Sequence, residues 1–122
     1  MHIGKDLVAA SATPLVLGIL AMEDSYGYAI LKKVGTLSDG KLEWTDGLLY
    51  PLLHRLERLG HVDSYWDTPS GGRKRKYYRI TQQGKAELTA HQRQWETVAH
   101  ALAEIWRATL DARPATPPAL EA

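Results

Sequence analysis

The chain has 122 residues, 44% of them hydrophobic, a formal net charge of +1 and no cysteine. That length fits one small domain with room for one extension, and the apolar fraction excludes a largely disordered chain. Without cysteine there is no disulfide, no thiolate sensor and no zinc finger. Phenylalanine is also absent, so the core must be aliphatic, and the large rings of the chain are Trp44, Trp66, Trp95, Trp106 and the tyrosines.

The near-neutral total hides an uneven distribution. Residues 73–79 (RKRKYYR) carry five cations and no acid. After residue 81 acids slightly dominate, with Glu87, Glu96, Glu104, Asp111 and Glu121 against Lys85, Arg93, Arg107 and Arg113. At the N-terminus a lone Lys5 precedes a short apolar run with no small-residue cleavage pattern, so a signal peptide is not expected. The apolar stretch 7–22 is broken by Ser11, Thr13 and Pro14 and reads as too short to span a bilayer. A soluble, cytoplasmic protein is the expectation.

Taken in order, residues 1–12 read as a mobile arm or a short helix of their own. Thr13-Pro14 then looks like an N-cap followed by proline at the first helical position, opening an apolar helix that ends near Met22. The alternative is one helix from Lys5 onward, kinked at Pro14. Ser25 can cap a second helix over 25–35. Within it, Tyr26 and Tyr28 stand about 200° apart, so either one packs while the other faces outward within reach of a phosphate, or both are half-buried packing residues. Gly27 between them suggests a close backbone approach. Residues 36–40 (TLSDG) form a loop. Lys41–Trp44 reads as a short strand that would pair with the base of a later hairpin, with Trp44 in the core.

Residues 45–60 are the most regular stretch. Thr45 suits an N-cap, Asp46 the first turn and Gly60 a left-handed C′ position. Leu48, Leu49, Leu52, Leu53, Leu56 and Leu59 recur at helical spacing on one face, leaving Tyr50, His54, Arg55 and Arg58 on the other. Pro51 removes one backbone bond inside this helix, so some distortion is expected. Residues 61–67 and 74–80 are rich in Val, Ile, Tyr and Trp and flank Gly71-Gly72, which predicts a β-hairpin. Alternation puts Arg73, Arg75 and Tyr77 on one face and Lys74, Lys76 and Tyr78 on the other, with Tyr78 and Ile80 as core. No acid nearby would relieve the cations at the tip.

From Thr81 the pattern is helical again to about Ala112. Leu88, Trp95, Leu102 and Thr109 recur every seven residues, with Val98 and Ile105 between them and Ala99, Trp106 and Leu110 as a second ridge. A helix of about 45 Å cannot leave that much apolar surface wet. Its expected partner is the same helix of another copy, making Leu88, Trp95, Val98, Leu102, Ile105 and Trp106 a dimer interface. Residues 113–122 are proline-rich and read as a disordered tail.

A helix with a cationic face, followed directly by a basic hairpin, is the layout of a winged helix-turn-helix that places the helix in a DNA major groove and the hairpin on flanking phosphates. The fold class expected is α+β, mostly α: a winged helix-turn-helix with a long C-terminal dimerisation helix. The candidate DNA contacts are Tyr26, Tyr50, His54, Arg55 and Arg58, then Gly72, Arg73, Lys74, Arg75, Lys76 and Tyr77. Arginine can pair bidentately with guanine, while glycines at the tip let the backbone approach phosphates. Catalysis has little support. His2, His54, His61, His91 and His100 show no metal-ligand spacing, and there is no nucleophile elbow, phosphate loop or dinucleotide fingerprint. No cofactor is expected.

The same residues resemble a known family. SYGYAI at 25–30, GLLYPLLHRLERLG at 47–60, SYW at 64–66 and GGRKRKYYRIT at 71–81 are similar to PadR-type transcriptional regulators, over roughly residues 13–110. The resemblance implies a homodimeric regulator, most naturally a repressor, on a pseudo-palindromic duplex. Some small members of that family place a tryptophan at the position of Trp95, where a pair borders a pore at the dimer centre and stacks planar aromatic compounds. The resemblance therefore implies a planar aromatic effector at Trp95. The plain alternative is that Trp95 is a large core residue of the dimer. The competing function is a winged-helix module without operator specificity, whose hairpin grips an acidic partner or RNA.

Overall fold

Thr45 starts the helix around which the remaining elements pack. Its hydroxyl accepts the Leu48 N–H at 3.3 Å, and the helix α3 runs from Asp46 to Arg58 in this computed structural model, which describes residues 1–69 and 71–112. The tail over 113–122 lies outside the described residues. Leu49, Leu52, Leu53 and Leu56 are buried, as the stripe requires. Leu59 is not: it is 56% exposed. It is the C-cap residue, where the chain leaves the helix and the stripe no longer faces the core. The end is a paired-bond cap. Gly60 sits at φ +80°, its N–H donates to the Glu57 carbonyl at 3.0 Å, and the His61 N–H donates to that of Leu56 at 2.9 Å.

The N-terminal reading needs correction. Helix α1 is continuous over Lys5–Met22 with Pro14 inside it, so the alternative of one helix from Lys5 onward describes it, and an arm over 1–12 with a fresh start at Thr13 does not. An interior proline costs about 3 kcal/mol. Here the same helix buries Ala12, Val16, Leu17, Ile19 and Leu20, and the four larger side chains return about 1.5–3 kcal/mol each. Packing wins over the break. At 18 residues, α1 is also long and apolar enough on length and composition to cross a bilayer, contrary to the sequence expectation. In this fold its buried residues belong to the core.

Residues 25–44 differ from expectation at both ends. Ser25–Tyr26 form a short strand, β1, and α2 begins only at Gly27 and ends at Leu37. Tyr26 takes the N-cap position with extended backbone, φ −122° and ψ 165°, and no side-chain cap. Lys41–Trp44, expected as the third strand, is irregular. The strand that joins the hairpin is β1, two elements earlier. A side-chain cap at Ser25 would contribute about 1 kcal/mol. The chain instead gains backbone pairing and an aromatic cross-strand pair, Tyr26 against Tyr77. Trp44 packs into the core as expected, 9% exposed.

The hairpin strands are β2 (Val62–Asp67) and β3 (Arg75–Ile80), antiparallel, with β1 on the far edge of β3. The register sets Val62 opposite Ile80, Ser64 opposite Tyr78 and Trp66 opposite Lys76. That parity sends Val62, Tyr78 and Ile80 into the core with the α1, α2 and α3 leucines, isoleucines and valines. Burial also pushes the Tyr78 hydroxyl pKa up.

Thr81 joins the hairpin to helix α4, Gln82–Ala112. Its hydroxyl donates to the Gly60 carbonyl at 2.6 Å and accepts the Gly84 N–H at 3.0 Å. One side chain thus ties the end of α3 to the start of α4. Leu88 packs partly against the core.

The chain divides into two units, residues 1–90 and the part from His91 onward. In the second, α4 continues to Ala112, and Val98, Leu102, Ile105, Trp106 and Leu110 are 41–64% exposed. Trp95 is half-buried.

Candidate nucleic-acid interface

The exposed face of α3 is built as the leucine spacing dictates: Tyr50, His54, Arg55 and Arg58 all face solvent. An ordinary surface helix would balance its arginines with nearby acids. Here Glu57 turns the other way and accepts the Ser64 hydroxyl at 2.6 Å. Beyond Asp46 and the phenol of Tyr50, every exposed ionisable residue of α3 is a histidine or an arginine. The Arg55 guanidinium donates to the Thr13 hydroxyl of α1 at 3.3 Å, which fixes its direction without neutralising it.

The hairpin tip turns at Gly71, with φ +71°, where the Gly72 N–H donates to the Pro69 carbonyl at 2.8 Å. Positive φ is where glycine is preferred in such turns. Arg73 and Lys74 are exposed beside it, and Arg75, Lys76 and Tyr77 are half-buried. The expectation that no acid relieves these cations is only partly right. The register sets Asp67 opposite Arg75, and Asp63 forms an ion pair with Arg79 at 3.9 Å. Opposite Lys76 the register sets Trp66 and not an acid.

The two faces of the hairpin carry different cargo. On the outer face Tyr26, Tyr77 and Tyr65 form a row, with ring centroids 5.3 Å and 5.7 Å apart. Arg75 lies 4.5 Å over Tyr26 and Arg79 5.3 Å over Tyr65. The Tyr65 hydroxyl donates to Asp24 at 2.6 Å, and that bond is the main cause of its raised pKa. On the inner face the cations sit over rings as well: Lys74 is 5.6 Å from Trp66 and Lys76 5.6 Å from Tyr78.

Between α3, the start of α2 and the hairpin lies a cleft of about 720 Å³. It gathers Tyr26, Tyr50 and His54 with Arg73, Lys74, Arg75 and Lys76. Arg55 and Arg58 do not line it. They border a second groove of about 630 Å³ between α1 and α3, shared with Thr13, Pro51 and His54. Tyr77 lines neither; its ring stands between those of Tyr26 and Tyr65. Two rings outside the candidate contacts also line the cleft: Tyr28, 63% exposed, and Trp66, 60% exposed. Tyr28 is the outward member of the pair flanking Gly27. Trp66 shares strand parity with Val62 and Tyr78, a signal available in the alternation itself.

The position of Tyr50 depends on Gly27. A Cβ at Gly27 would collide with the Tyr50 hydroxyl and lie 2.6 Å from its Cζ. The hydroxyl end of the Tyr50 ring therefore sits against the first turn of α2, and the ring lines the cleft.

A cationic helix face beside a basic hairpin, on a base of packed helices, defines a winged helix-turn-helix of the kind that docks on duplex DNA. Residues 16–90 match the transcriptional regulator PadR-like family, and the chain belongs to that family. It is a transcriptional regulator and not an enzyme. The chain is 31% identical over 94 residues to an uncharacterised protein of Lysinibacillus sphaericus, covering 77% of this chain and 86% of that one. A transcriptional regulator from Clostridium thermocellum superposes with a TM-score of 0.74 at 28% identity, covering 82% of this chain and 97% of that chain. A PadR family transcriptional regulator from Eggerthella lenta gives a TM-score of 0.65 at 37% identity, covering 83% and 82%.

Proposed function

We propose that this regulator is a homodimeric, sequence-specific repressor of the cytoplasm, released from DNA by a small planar aromatic effector. In this reading Tyr50, His54, Arg55 and Arg58 enter the major groove. Gly72, Arg73, Lys74, Arg75 and Lys76 meet the flanking backbone, with Tyr26 and Tyr77 bracing them from behind. The observation that carries the reading is the turned Glu57: its bond to Ser64 leaves α3 an exposed face without a balancing acid, next to the hairpin.

Helix α4 acts as the dimerisation element. Its exposed Val98, Leu102, Ile105 and Trp106 offer an apolar face suited to a second copy. Two copies related by a twofold axis require a pseudo-palindromic site with half-sites about 34 Å apart or a multiple of it. The effector stacks between paired Trp95 rings at that interface.

Selection of bound duplexes from a random library tests this, repeated with planar cationic dyes and phenolic acids present. The reading expects an enriched inverted repeat, depleted when an effector is added, with Trp95 emission quenched in parallel. A pool that stays random contradicts operator specificity, and quenching that survives Trp95→Phe contradicts the effector site.

A further inference from the structure

We propose that Trp66 is a DNA-backbone contact: its indole packs against a deoxyribose in the cleft while Arg73 and Lys74 hold the adjoining phosphates. This rests on the duplex-binding reading above and adds to it a residue that neither the helix face nor the cationic tip accounts for.

Strand geometry leaves Trp66 no other place. Val62 and Ser64 precede it on the same face of β2, with Val62 buried and Ser64 tied to Glu57. Each two-residue step along a strand advances roughly 6.8 Å. Trp66 is thus the first residue of that face to lie beyond the helices, and it is 60% exposed. It cannot rotate to the outer face, which Tyr26, Tyr77 and Tyr65 already fill. The indole therefore forms one wall of the cleft, with Tyr28 and Tyr50 among the others.

The chemistry of that cleft selects its occupant. Its ionisable lining, apart from tyrosines, is His54 and the four cations of residues 73–76, and no acid lines it. An anion is favoured, and one that brings apolar surface with it, since three exposed rings share the wall. The Lys74 ammonium 5.6 Å from the Trp66 centroid sets a positive charge beside the ring. A sugar-phosphate backbone offers both features at the spacing of one nucleotide. Because a sugar carries no base identity, the contact strengthens binding to any duplex alike. Because the indole is uncharged, it does so without releasing counterions.

Two variants test the proposal. Trp66→Ala is expected to weaken binding roughly tenfold on operator and scrambled duplex equally, the scale of covering one exposed indole. The log–log salt slope and the melting temperature should not change. In Trp66→Phe, duplex binding should shield less tryptophan from acrylamide than in the wild type, because the covered indole is missing.

Equal shielding in the wild type and Trp66→Phe overturns the proposal, whether or not the alanine variant folds. So does wild-type affinity in Trp66→Ala, or a slope reduced by about one, which would mean that Trp66 acts only by holding Lys74. A wild-type protein that ignores every duplex at low salt sinks the DNA reading itself. Wild-type binding with indifferent Trp66 variants sinks only this inference.

Discussion

Adding one methyl group at Gly27 tests how the reading helix is aimed. The Cβ of Gly27→Ala would lie 2.6 Å from Tyr50 Cζ and 3.0 Å from Cε1, where carbon pairs prefer about 3.5–4.0 Å. The ring tip must move on the order of 1 Å. Tyr50 is 37% exposed, so it can swing outward. The off-rotamer cost is about 0.5–1.5 kcal/mol, and at the first position of α2 alanine returns part of its interior helical preference of up to about 1 kcal/mol. Stability should therefore change little. Binding should not escape so lightly, because a hydrogen bond to a charged phosphate contributes about 1.5–3 kcal/mol, or roughly ten- to hundredfold in affinity. Fluorescence anisotropy on Gly27→Ala, Tyr50→Ala and the double variant closes a cycle. The expected result is a loss in each single variant and no further loss in the double. Wild-type affinity in Gly27→Ala, or a loss that persists when Tyr50 is already alanine, would refute the argument.

Other consequences are separable from that one. Arg73→Ala and Arg75→Ala should weaken binding to all sequences, each lowering the salt slope by about one, whereas Arg55→Ala should relax base preference in a selection experiment. An unchanged preference would remove Arg55 from the specificity set. Thr81→Ala deletes both the cap of α4 and the bond to the Gly60 carbonyl, at a cost of about 2 kcal/mol. For a chain of this size Tm should fall by roughly 10 °C, and a fall of a degree or two would show that other groups hold the α3–α4 junction. The pKa of Tyr65 is raised above the usual 10.0 chiefly by its bond to Asp24. A raised acid stabilises the fold fully below its unfolded pKa and loses that contribution as pH climbs through the folded one. Stability should thus decline above about pH 10, less steeply in Tyr65→Phe; identical alkaline limbs would exclude the bond as a cause.

What the sequence made legible was what local signals specify. Thr45, the leucine spacing and Gly60 each point to the same helix, and alternation in 74–80 correctly put Tyr78 and Ile80 inside. The errors share a physical cause, a tertiary partner overriding a local preference. Ser25 reads as a cap, yet Ser25–Tyr26 becomes a strand because the edge of β3 is open beside it. A two-residue strand has no periodicity to betray it. Pro14 reads as a helix start, but the core contacts of Val16, Leu17 and Leu20 carry α1 straight through. At the interface the basic tip was plain, while its arrangement was not. Asp63 and Asp67 lie far along the chain from their cations and meet them only through the register. Glu57 reads as a charge on the surface helix until Ser64 is brought against it. Trp66 shares its strand face with buried Val62, and only the place where the helices end leaves it exposed.

The central claim is that two copies present paired cationic wings to one duplex. Anisotropy with a selected inverted repeat, titrated across salt concentrations, tests it most directly when stoichiometry is read at the same time. The account predicts two chains per duplex, weaker binding to a scrambled sequence and a log–log slope of roughly −5 to −9. One chain per duplex, or a flat salt dependence, would contradict it.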